Sequence, residues 1–174
     1  ETPRVMFMHI GGMGEEEELG RAVGKVFAKI KDTAGGKGDV PKAQIDPETT
    51  TLDPDLIAEL LGVKGDLAKG VYKVTVGRTT RMDGHDMGKS MGVNSWAAFA
   101  GSDERAVVAG DIAMHDDELQ PVLKALRANG INVVAIHNHM TFESPRIVFL
   151  HYWGLGSTRD LATSVKTAFD LARD

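Results

Sequence analysis

In the stretch AIHNHMTFESPRIVFLHYWG, from Ala135 to Gly154, three of the chain's six histidines lie with Glu143 beside two strand-like apolar runs. Residues two apart on a strand point to the same face, so His137 and His139 project together in a chelating relation. With TFESP as the turn of a hairpin centred near Glu143 and Ser144, His151 falls opposite His137, with Cβ atoms about 5 Å apart. Three neutral imidazoles with nitrogens roughly 2.0–2.1 Å from an ion form the ligand set of an open, catalytic-type zinc site, and copper or iron also suits them. The fourth position is left to water or to Glu143, which has three available roles: ligand, general base through a metal-bound water, or solvent-exposed charge. The competing reading is of half-buried histidines satisfied by backbone and by Asn138, their spacing set by strand alternation alone.

Other candidates are weaker. GHDMGKSMG carries His85 in a Gly-rich segment, as a fourth ligand or a substrate-facing residue, whereas His115 reads as a residue at a helix start. GKS is no phosphate loop, because Asp83 stands where the first glycine of that pattern belongs. Ser95 and Ser157 lack the small-residue elbow of a nucleophile. The chain has no cysteine, which excludes thiolate chemistry and disulfides; Met6, Met8 and Met140 near histidines keep copper open. The HxHx3E spacing of cupins belongs to an all-β barrel, whereas here a strong helix feeds the histidine strand.

Stepping out to the whole chain, 174 residues with 42% hydrophobic and 26% charged side chains suit one globular domain with something attached. A net charge of −5 without clustered Lys and Arg argues against nucleic acid as partner. No apolar run approaches the roughly 20 residues that span a bilayer. Glu1 opens the sequence without initiator methionine or signal peptide, the pattern expected of a processed or trimmed chain.

Residues 1 to 32 align without gaps on residues 143 to 174. Eleven pairs are identical: Glu1/Glu143, Pro3/Pro145, Arg4/Arg146, Phe7/Phe149, His9/His151, Gly12/Gly154, Gly14/Gly156, Leu19/Leu161, Val23/Val165, Phe27/Phe169 and Asp32/Asp174. The pattern reads as a duplicated unit: residues 1–32 are the strand–helix end of a first copy, residues 33–52 a linker rich in Gly, Pro and Thr or, equally, an ordered irregular surface loop, and residues 53–174 a second copy.

Within the second copy, Asp53, Pro54 and Gly62 cap and stop a short helix, and Tyr72, Val74 and Val76 alternate as a half-buried strand. NSWAAFAG and ERAVVAGDIAM read as two more strands. Leu119, Val122, Leu123 and Leu126 share one face of a helix that feeds the strands INVVAIHNH and RIVFLHYW, and Ser157 with Asp160 opens a last helix. The order α, β, β, β, α, β, β, α predicts an α+β fold: an antiparallel or mixed sheet with helices on one face, built from a βαββα-type unit.

GVNSWAAFAG, VVAGDIAMHDDELQPVLKALRANGINVVAIHNHM and ESPRIVFLHYWGLGSTRDLATSVKTAFD together resemble the LppY/LpqO family of bacterial lipoproteins and secreted proteins, most specifically in HNHM, PR and HYWG. The resemblance implies a domain that often occurs twice and a place outside the cytoplasm, secreted or lipid-anchored, with no settled activity. The expected function is an extracytoplasmic metal-binding protein using His137, His139 and His151, with His85 and Glu143 as further candidates and a metal-dependent hydrolase as a special case. The competing expectation is an assembly protein whose strand around Val5 to His9 pairs with a second subunit or with the missing part of the first copy.

Overall fold

The computed structural model describes residues 10, 12–33 and 43–172. The chain divides into two compact units, Glu1–Lys42 and Ala43–Asp174. Among its described residues the first holds the helix α1 (Glu16–Thr33), with acids in its first turn and Lys31 in its last, as the helix dipole favours. The strand expected around Val5 to His9 lies outside the described residues.

The second unit begins ten residues before the expected boundary. A 3₁₀ turn at Pro47–Thr49 is capped by Asp46, and the amides of Thr51 and Leu52 donate to Gly101 O, which ties part of the expected linker to the domain. Its elements are α2 (Pro54–Leu61), β1 (Asp66–Ala68), β2 (Val71–Gly77), β3 (Thr80–Met82), β4 (His85–Met87), β5 (Asn94–Gly101), β6 (Ala106–His115), α3 (Leu119–Ala128), β7 (Asn132–His137), β8 (Ile147–Gly156) and α4 (Thr158–Leu171). The sequence pattern omits β1 and the β3–β4 hairpin. Both are three-residue strands, too short to show a period.

Six strands form one antiparallel sheet in the order β1-β2-β5-β6-β8-β7, and β3 pairs with β4 apart from it. The fold is α+β, as expected; a duplicated βαββα unit is not shown among the described residues.

Alternation sorts the sheet into two faces. Val74, Phe99, Val108, Ile112, Leu150 and Tyr152 point into the main core, where they meet Ile57 and Leu61 of α2, Val122 and Leu126 of α3, and Leu161, Val165 and Phe169 of α4. The caps that delimit these helices are those the sequence signals. Asp53 accepts from the Asp55 amide and Gly62 ends α2 at φ 69°, while Ser157 accepts from the Asp160 amide to open α4.

Two features fix the sheet around its central strands. Tyr152 donates its hydroxyl to Trp96 O at 3.1 Å, passing over Gly110, where a Cβ would overlap both groups. Arg78, at the end of β2, donates to both carboxylate oxygens of Glu118 at 2.6 and 2.9 Å and to the carbonyls of Ala113 and Ala172. One guanidinium thus joins β6, the turn before α3 and the end of α4.

Candidate functional site

The opposite face of the sheet carries the chemistry. Thr75, Trp96, Asp111, His151 and Ala135 form one cross-strand row from β2 to β7. A sheet face left open by its helices normally takes polar, solvated residues at such positions. Here Asp111 is only 4% exposed and the side chain of His151 only 21%.

The three predicted histidines come together. The His137 ring lies 5.0 Å from that of His139 and 4.7 Å from that of His151, centroid to centroid, with the planes within 19° of parallel. Phe149 stacks on His139 at 3.5 Å and flanks His137 at 6.0 Å. Asp111, which the sequence reading passed over, places Oδ2 3.9 Å from His151 Nε2. Its charge also reaches Tyr152, whose phenol is pushed well above its usual range by burial first and by Asp111 second.

The expected hairpin register is corrected. His137 pairs with Phe149, and Ala135 rather than His137 sits opposite His151, with a bulge between Val133 and Ala135. The connection is not a tight turn at TFESP but a loop over residues 138–146, which contains the cis Ser144–Pro145 peptide. An offset of two residues keeps His137 and His151 on the same face, so the cluster survives the change.

Glu143 and His85 are placed elsewhere. Glu143 is buried, and its carboxylate accepts the Ile147 amide at 3.3 Å, at the start of β8. His85 is exposed on β4, paired with Met82. Asn138, the suggested partner for the histidines, instead donates to Ile147 O and accepts from Arg146. The hairpin is fastened to the same loop: the amides and carbonyls of Arg81 and Ser144 pair reciprocally, and Thr80 donates to Pro145 O. Met87 and Met140 pack with Val93, Ala113, Ile147 and Phe149, so this small cluster backs the aromatic wall of the histidine group. A cavity of about 350 Å³ opens beside it, lined by Asn138, Met140, Thr141, Phe142, Glu143 and Arg146.

Among the described residues, no three or more His, Asp or Glu side chains stand in an arrangement that could hold a metal ion. In this structure the three imidazoles are stacked rather than converged on a point. Among the described residues no helix is long and apolar enough to cross a membrane.

Fold and site define an α+β domain with a six-stranded antiparallel sheet, helices on one face and a half-buried imidazole–carboxylate group on the other. Residues 55–171 match the model of a Domain of Unknown Function, DUF1259, and the chain belongs to that family. The match overturns the LppY/LpqO resemblance, and the expectation of a secreted or lipid-anchored protein loses its basis with it. No curated protein and no solved structure matches the chain.

Proposed function

We propose that the group formed by His137, His139, His151 and Asp111 is the working centre of the domain, and that it takes up a divalent transition-metal ion, zinc first, with copper or iron as the other candidates. The observation that carries this reading is the spacing of the rings. An imidazole whose nitrogen lies 2.0–2.1 Å from an ion has its centroid about 3.2 Å from that ion, so two such ligands about 100° apart have centroids about 5 Å apart. The observed separations are 5.0 and 4.7 Å. A chelate requires the rings to turn about their side-chain torsions until one nitrogen of each faces a common point.

Two further points support it. Placing a carboxylate and three imidazoles on a sheet face costs free energy that apolar side chains would not, and so calls for a compensating use. The donor set of nitrogen and oxygen, without sulfur, suits zinc, copper or iron. Asp111 takes the place in this set that the sequence assigned to Glu143 or His85. Bound metal with an open position would polarise a substrate or activate water, which is the chemistry of a hydrolase.

The test is titration of the purified, chelator-treated chain with Zn²⁺ and Cu²⁺ by calorimetry, beside a His137→Ala, His139→Ala double variant. One equivalent bound by the parent and lost in the variant is the expected result. No binding by a folded parent, or equal binding by both, would sink the proposal.

A further inference from the structure

The helix α1 carries a partly exposed apolar stripe. Phe27 is 64% and Ile30 46% exposed, and Leu19, Val23 and Val26 are only half-buried along the same side. The internal alignment sets Glu16, the first residue of α1, on Thr158, the first of α4. Aligned helices can share residues on any face. Here the identities within them, Leu19/Leu161, Val23/Val165 and Phe27/Phe169, fall only where α4 is buried: Leu161 is 4%, Val165 0% and Phe169 3% exposed.

Of the remaining buried positions of α4, Ala162 and Ser164 align with the small Gly20 and Ala22 and Ala168 with the apolar Val26, whereas Thr158, at the helix start, aligns with Glu16. The exposed positions have drifted: Arg159, Thr163, Thr167 and Asp170 align with Glu17, Arg21, Lys25 and Ala28. Drift outside with retention inside is the mark of a helix that still packs on something of fixed shape.

We propose that α1 is the closing helix of a second domain with this same architecture, and that its stripe docks on the helix-covered face of that domain's antiparallel sheet, as α4 docks here. Its occupant is thus a sheet of the same family lacking its own last helix. The inference does not depend on the metal reading.

A graft into the full chain tests it: residues 158–172 are replaced by the sequence of residues 16–30. Ser157 then keeps an acid three residues on, because Glu18 takes the place of Asp160, so the cap is preserved. The expected result is a cooperative thermal transition within about 15 °C of the parent's. The transition should be lost when the grafted phenylalanine is also changed to aspartate. A second graft, in which the leucine, valine and phenylalanine are moved two positions along, should not fold. An unfolded first graft overturns the proposal, as do two grafts of equal stability. Sedimentation of the parent covers a rival occupant: a concentration-dependent dimer abolished by Phe27→Asp, together with an unfolded graft, assigns the stripe to pairing between two copies of α1.

Discussion

Asp111 and His151 face each other across the adjacent strands β6 and β8, with Oδ2 of the carboxylate 3.9 Å from Nε2 of the imidazole. A buried carboxylate beside a half-buried imidazole can act as a further ligand to the ion or orient the ring of a ligating histidine. Asp111→Asn keeps the shape and removes the charge. It is expected to lower Zn²⁺ affinity about 10- to 100-fold, with an unchanged far-ultraviolet circular dichroism spectrum. Calorimetry reads this directly, and an unaltered affinity would remove Asp111 from the donor set.

Glu143 separates two roles. Its carboxylate accepts the Ile147 amide, which fixes the point where the loop becomes β8. Glu143→Gln retains an acceptor oxygen, so metal uptake and thermal stability should stay close to the parent's. Glu143→Ala leaves the buried amide without that acceptor and should cost about 1–3 kcal/mol in a urea titration. A hydrolytic activity abolished by the glutamine variant, with metal still bound, would show a general base in addition to the structural role.

The Arg78–Glu118 pair predicts an acid-sensitive fold. Burial raises the carboxyl's pKa, but hydrogen bonds from Arg78 and from the His115 amide, with the Arg78 charge, outweigh it and hold the group below its ordinary value of 4.5. With the folded pKa depressed, the stabilisation is complete above that ordinary value and is lost as the pH falls below it through the folded pKa. The slope of melting temperature against pH in this acid range should be shallower in Glu118→Gln than in the parent. Glu118→Ala leaves the Arg78 guanidinium with carbonyl acceptors but without its carboxylate, and should destabilise at neutral pH by about 3–5 kcal/mol.

Gly110→Ala inserts a methyl group between the Tyr152 hydroxyl and Trp96 O, so either their hydrogen bond breaks or β5 and β6 separate locally. Overpacking of this kind costs roughly 1–3 kcal/mol. Because Trp96 lies in the same row as Asp111 and His151, the variant should also shift tryptophan emission. A stability equal to the parent's would mean that Tyr152 can swing away without loss.

Much of this was legible in the sequence. Apolar periodicity and caps reveal α2, α3 and α4, because Asp53, Gly62 and Ser157 act through local hydrogen bonds and φ preferences that the chain itself encodes. The clustering of His137, His139 and His151 follows from strand alternation and tolerates a two-residue error in register. Asp111 was hidden because it lies in an apolar run, VVAGDIAM, and reaches His151 only through pairing between β6 and β8. Its one sequence signal was a lone acid in the middle of a buried strand. The register of Glu143 was equally out of reach, since it depends on how a nine-residue loop folds rather than on any period.

The strand order gives the histidine group two unlike sides. His151 and Asp111 sit on β8 and β6, held by neighbours on both flanks, whereas His137 sits on β7, which ends the sheet and is interrupted by a bulge. Edge strands open locally at far lower free energy than the centre of a sheet, so the group has one fixed wall and one hinged wall. Anything held between them leaves by fraying of β7, and its residence time is set by the lifetime of a few edge hydrogen bonds while the rest of the fold stays closed.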